Sequence, residues 1–324
     1  MEKMRDSIDF KNMDIAALFR KLLLPTVLGM IFSALFVITD GIFVGKGIGS
    51  DALAAVNIVA PLWLFSTGIG LMFGVGASVV ASIHLSHNKP KVARINITQS
   101  IVVSSLLLMC TSTLFCLFAP QVVHLLGGSE RLEPLAVEYM LWFVPFSAFT
   151  ALLNSGMFFL RLDGSPNFAM LCNITAAVLN IILDYLFIFP LGWGMFGAAL
   201  ATLIAQGISA VFSLLIFRYR MRRYKSSFVW FDGQELRSML QIAVPSVLQQ
   251  STVSIGMMIV QAVVNPFGTQ ALAGYAATMR VENVFSLIFV SIGNAVSPYV
   301  SQNLGANKTQ RIKKGYRAAL VLDV

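Results

Sequence analysis

Charge is what this sequence has least of. Only 12% of its 324 residues are Asp, Glu, Lys or Arg, about half the share of a soluble globular domain. Hydrophobic residues make up 57%, and the mean hydropathy is +0.78. This excludes an ordinary water-soluble fold. The chain reads as an all-α, polytopic membrane protein with most of its length in lipid.

Cysteine and histidine are scarce too, with three of each. Cys110, Cys116 and Cys172 lie inside apolar runs without metal-ligand spacing, which argues against a disulfide framework or a zinc site. His84, His87 and His124 form no paired metal motif. The opening "MEKMRDSIDFKNMD" is charged and mixed in sign, so it is not a cleavable signal peptide. A phosphate loop is missing as well. "GIFVGKG" at 41–47 has three residues between its first two glycines instead of four, and no hydroxyl follows Lys46.

What is present is a series of apolar runs long enough to cross about 30 Å of hydrocarbon as helices. Eight spans are expected, at 18–44, 53–84, 95–119, 135–160, 167–189, 194–217, 238–264 and 271–303. Pro25, Pro61, Pro145, Pro245 and Pro298 fall inside them and mark places for bends. Small residues such as those of "GIGLMFGVGAS" permit close helix packing.

The net charge of +8 does not point to nucleic acid. All Lys and Arg except Lys46, Arg131 and Arg280 fall on one side of an alternating topology. That is the positive-inside pattern, and it places the N-terminus in the cytoplasm. Residues 1–217 form a first six-helix lobe, 218–237 a basic cytoplasmic linker, and 238–324 part of a second lobe.

The second lobe begins as a copy of the first. Residues 49–94 align with 268–313 at a constant offset of 219: "GSDALAA" with "GTQALAG", "GVGASVVAS" with "GNAVSPYVS", Asn88-Lys89 with Asn307-Lys308. Six spans separate the repeats, so both share one orientation, related by an axis along the membrane normal. The second copy holds two helices and the start of a third. The natural protein is expected to continue for four more helices, to about 440 residues if the repeats are equal.

Against this apolar background the buried acids stand out. Asp40 is the only charged residue between Lys21 and Lys46, and a carboxylate at membrane depth is a functional candidate by default. Asp184, in "NIILDYLFIFP", lies six residues before Pro190, as Asp40 lies six before Lys46. At 1.5 Å per residue both sit about 9 Å inside the outer end of a helix. Asn180 is four residues before Asp184, on the same face. The sixth span brings Thr202, with Ala198 a turn above it, and the fourth brings Tyr139 and Asn154. Two readings follow: paired carboxylates that hold a proton and titrate as a unit, or oxygen ligands around a hard cation such as Na⁺.

"DGIFVG" with "ALAAVNI", "LRLDGSPNFAM" and "NIILDYLFIF" resemble the multidrug and toxic compound extrusion (MATE) family, in its DinF/MepA-like bacterial branch. The resemblance runs over essentially the whole chain. It implies a twelve-helix fold of two six-helix lobes around a cleft, in the bacterial inner membrane. It also implies export of small organic, often cationic, compounds in exchange for H⁺ or Na⁺, by a monomer without other cofactors. Asp40, Asn180, Asp184 and Thr202 match the family's coupling site. Ala198 matches a position that can offer its carbonyl, Tyr139 and Asn154 match nearby polar positions, and Pro25 matches the hinge of the first helix. The seventh helix departs from members that carry an acid there. It reads Gln249-Gln250, and the repeat partner of Asp40 is Ile259 or Val260. Glu282, near Arg280, is a remaining membrane acid suited to a cationic substrate. The runner-up function is a lipid-linked oligosaccharide flippase, which the shortage of Lys and Arg in the spans disfavours. An enzyme would need a nucleophile or metal constellation. A receptor would not need matched intramembrane acids.

Overall fold

The apolar runs become long helices in the computed structural model. It describes residues 8–10, 12–221, 231–264 and 269–323, with several residues of 217–221, 249–262, 269–284 and 322–323 through their backbone only. In chain order the helices are α1 (Ile15–Gly47), α2 (Ser50–Ser86), α3 (Pro90–Leu117), α4 (Ala119–Leu125), α5 (Glu133–Phe143), α6 (Ala148–Leu162), α7 (Pro166–Ile188), α8 (Gly194–Met221), α9 (Gly233–Val264), α10 (Thr269–Gly305) and α11 (Thr309–Asp323). Among the described residues there is no strand. Asp14 starts α1, its carboxylate accepting from the Ala17 N–H at 3.1 Å. Pro90 and Pro166 sit in the first turns of α3 and α7, where a missing N–H costs nothing.

Among the described residues five of these helices are long and apolar enough to cross a membrane, or six if the bent pair of α5 and α6 is one span; α9 and α10, at the seventh and eighth expected spans, are not among them. α9 and α10, at 32 and 37 residues, repeat the lengths of α1 and α2, at 33 and 37. The fourth expected span, 135–160, is not one straight helix. A 3₁₀ turn at Val144–Phe146 separates α5 from α6, and the two axes differ by 45°. Pro145 is the physical reason, since its ring removes a helical N–H. Pro25, Pro61, Pro245 and Pro298, by contrast, lie inside unbroken helices. Both ends of the expected linker 218–237 are helical, because α8 runs to Met221 and α9 starts at Gly233.

The repeat is visible atom by atom. Ser301 Oγ donates to Ser82 Oγ at 3.0 Å, and these residues are 219 positions apart. Equivalent atoms can touch only beside the axis that relates them. α2 and α10 end alike, in Asn88 and Asn307, with φ of 57° and 55°. In each case the next residue closes the helix: Lys89 N–H to His84 O at 2.8 Å, Lys308 N–H to Asn303 O at 2.9 Å. Asn tolerates this left-handed cap where other side chains are strained. Asn88→Ala and Asn307→Ala are each expected to cost about 1 kcal/mol, whereas Asn→Gly at either site leaves the melting temperature near the parent's.

Packing repeats the same exchange. α1 lies against α10, and α9 lies against α2. Leu18 and Phe19 share a buried cluster with Ile292 and Tyr299. Met239, at the equivalent place on α9, is buried with Phe73 and Ala77 of α2. α7 packs on α1 and on α8, and α1 also touches α8, which brings Asp40, Asn180 and Thr202 together.

Candidate functional site

That juxtaposition of α1, α7 and α8 assembles the polar residues. Thr202 Oγ1 lies 3.5 Å from Asp40 Oδ1, to which it donates. Asn180 Nδ2 donates to Thr202 Oγ1 at 3.3 Å. Asp184, one turn beyond Asn180, turns its carboxyl toward that of Asp40, close enough for the two to interact directly. Asn180 and Asp184 are fully enclosed, while Asp40 is only partly so.

Small residues make this approach possible. At Gly29 a Cβ would lie 3.1 Å from Asn173 Nδ2 and 3.4 Å from Met170 Cα, so α1 meets α7 closely there. At Gly47 a Cβ would collide with Ile188. Ala198, fully buried, lets α8 close on its neighbours one turn before Thr202.

Several buried acceptors of the site lack a hydrogen bond. Neither Asp184 oxygen accepts a hydrogen bond, and Asn180 Oδ1 accepts none either. The Asn180 amide and the Asp40 carboxyl lie beside Asp184, but none of the three acceptors makes a hydrogen bond of good geometry, a buried arrangement that costs free energy unless a proton or cation joins it. A proton would be shared between the carboxyls. For a hard cation, carboxylate, amide and hydroxyl oxygens are suitable ligands.

Tyr139 is buried on α5, its ring stacked on Phe143 at 5.8 Å, and its hydroxyl is within electrostatic reach of both carboxylates. Asn154 does not join the group: its Nδ2 donates to Thr150 O at 2.8 Å, in its own helix. The bend at Pro145 puts Tyr139 and Asn154 on separate helices and explains the divergence. Glu282 is exposed on α10, and the side chain of Gln249 lies outside the described residues. Pro25 is buried in α1, about 22 Å of helix below Asp40.

One polar seam was not anticipated. On α8, Thr202 is followed by Gln206, Ser209 and Ser213, all buried and at the 4-3-4 spacing of a single helix face. Gln206 Oε1 accepts from Thr150 Oγ1 of α6, and Ser209 Oγ has no partner. The spacing was available in the sequence.

The chain matches the MatE family over residues 25–186 and 245–324. It is 27% identical to an FAD transporter of Shewanella oneidensis, over 98% of this chain and 71% of that protein. It is 25% identical to YoeA of Bacillus subtilis, a probable multidrug resistance protein, over 93% of this chain and 67% of that one. Among solved structures, the Vibrio cholerae MATE transporter VcmN is 25% identical and superimposes with a TM-score of 0.86, over 94% of this chain and 70% of that one. The chain thus spans about two thirds of the length of its relatives, 66% for the multidrug export protein MepA of Staphylococcus haemolyticus. With most of its length inside the family's pattern and the same helical fold, this chain belongs to the MatE family, whose members are membrane transporters and not enzymes.

Proposed function

We propose that this chain is the larger part of a secondary exporter of small organic, often cationic, compounds, driven by exchange for H⁺ or Na⁺. Its setting is the bacterial inner membrane, as a monomer with the N-terminus in the cytoplasm. The first lobe spans residues 1–217, and the second begins after the basic linker 218–237. The observation that carries this reading is the Asp40–Asp184 pair, with three buried acceptor oxygens that lack a hydrogen bond. Occupation of that site by H⁺ or Na⁺ changes its hydrogen bonding. Release of α1 from α7 and α8 then allows α1 to bend at Pro25. Only a ligand that binds the two states unequally can drive the exchange.

The FAD transporter among the relatives raises a second substrate class. A flavin dinucleotide carries a pyrophosphate and calls for cations in the cleft. The eight expected spans hold Arg20, Lys21 and Arg280 alone, the first two at the very start of the first span, which favours neutral or cationic cargo. The same shortage counts against the lipid-linked oligosaccharide flippase.

The test is efflux of a fluorescent cation from vesicles that hold the full-length transporter. An imposed H⁺ or Na⁺ gradient is expected to drive it, and collapse of that gradient to stop it. Efflux indifferent to both gradients overturns the proposal. Thr202→Val separates the ions. If Na⁺ drives transport, loss of the hydroxyl ligand is expected to raise the Na⁺ concentration for half-maximal rate about tenfold, from the one or two kcal/mol carried by such a contact. If H⁺ drives it, transport stays near the parent's.

A further inference from the structure

At the end of the bundle where α1 begins, the two repeats are tied together twice, and the ties differ in chemistry. On one side, His84 at the end of α2 places Nε2 2.9 Å from Glu235 Oε2, in the first turn of α9. Asn96 of α3 donates to the same oxygen at 3.2 Å. Beside them, the Gln99 amide makes two bonds to the Asp232 backbone, Nε2 to O and Oε1 from N–H, both 3.1 Å. Asp232 Oδ1 in turn accepts from the Gln234 N–H at 2.9 Å, so the start of α9 is fixed on α2 and α3.

On the other side, the repeat counterpart of His84 is Asn303. Its Nδ2 donates to Phe10 O at 3.0 Å. Arg311 of α11 donates through Nε to the same carbonyl at 3.2 Å, and through its Nη2 to Met13 O. Lys308 Nζ donates to Asn12 Oδ1 at 3.0 Å. The acceptors here are carbonyls of the segment before α1, not a carboxylate on a helix. That segment can travel with α10 and α11 when α1 tilts. The first tie joins helix directly to helix and must break for α9 to leave α2.

We propose that Glu235, held by His84 and Asn96, is the releasable latch of this end of the transporter, and that its opening admits substrate from this side. The His84 and Glu235 side chains are 19% and 16% exposed, which leaves water a route to take over their hydrogen bonds on release. A carboxylate shared by two donors holds more firmly than a neutral contact, and it sits beside the apolar cluster of Leu85, Leu236, Met239 and Leu240, which must part with it when α9 leaves α2. The inference rests on the alternating-access part of the proposed function, but not on which residues carry the coupling ion.

The experiment measures the distance between spin labels at the exposed positions of Lys91 and Ser238 in the full-length transporter. The parent is expected to populate mainly the short distance. Glu235→Ala is expected to raise the ratio of long to short distances about tenfold, and Glu235→Gln less, as suits loss of a charge-assisted contact. The exchanged pair, His84→Glu with Glu235→His, is expected to return the ratio to within about threefold of the parent, which mere structural damage would not do. A ratio within about twofold of the parent in Glu235→Ala, with the protein folded by its melting curve, overturns the latch. If Glu235→Ala does not fold, an unchanged ratio in Glu235→Gln overturns it instead. The same labels in an Asp40→Asn background keep the result separate from the coupling site. A latch shift there with transport intact would sink the coupling proposal alone.

Discussion

Asp40→Asn is expected to reduce gradient-driven efflux to the level of vesicles without transporter, with expression and melting temperature unchanged. The substitution keeps size and shape, and Thr202 Oγ1, 3.5 Å away, can still donate to the amide oxygen. What it removes is the capacity to bind and release a proton, or to hold a cation by charge. Asp184→Asn is expected to give the same loss, and the double variant to be no worse than either single one. Groups that act as one unit are not additive. Stability should move the other way at Asp184. Its carboxylate is fully buried and both its oxygens lack a hydrogen bond, so the neutral amide removes a desolvation cost. A melting temperature equal to or above the parent's, in a protein that no longer exports, would mark Asp184 as a residue kept for function at the expense of stability. Gradient-driven export undiminished in Asp40→Asn would remove the basis of the proposed site.

The parts of this site legible in the sequence are those with a local signature. A lone acid in an apolar run is conspicuous, and counting residues to the helix end gives its depth. Depth alone cannot say whether two helices are neighbours. The contact of α1 with α7 at Gly29 and Gly47 decides that. Tyr139 and Asn154 show the opposite case: one expected span holds both, and a 45° bend at a single proline parts them. His84 and Glu235 were individually unremarkable, and no local pattern links residues 151 positions apart. The repeat offered a partial hint, since it pairs α2 with α10 and α1 with α9. It could not reveal that one crossing uses a helix-borne carboxylate and the other uses backbone carbonyls and the Asn12 side-chain amide.

Gly70→Leu is expected to cost about 3 kcal/mol or more, the upper range for overpacking, and to leave little folded transporter after detergent extraction. A Cβ at Gly70 would lie 2.6 Å from Ala151 Cα and 2.8 Å from Ala151 O. These are backbone atoms of α6 and cannot turn aside as a side chain would. Four residues on, a Cβ at Gly74 would lie 3.0 Å from Ser155 Cα. Gly70 and Gly74 thus form a G-x-x-x-G face on which α6 rests backbone to backbone, and Ser155 Oγ donates to Gly70 O at 2.9 Å across the contact. Gly68 is the control, because nothing lies within 4 Å of its added Cβ. Gly68→Leu should extract and melt like the parent, and equal behaviour of the two variants would refute the close-packing account. The consequence reaches the site. α6 also packs on α8, where Thr150 holds Gln206 one turn from Thr202. The smaller Gly70→Ala, if it folds by displacing α6, should therefore act as Thr202→Val does, raising the Na⁺ concentration for half-maximal rate if Na⁺ drives transport, while leaving both carboxylates in place. Glycine at 70 sets the spacing of the scaffold against which α8 presents its hydroxyl to Asp40.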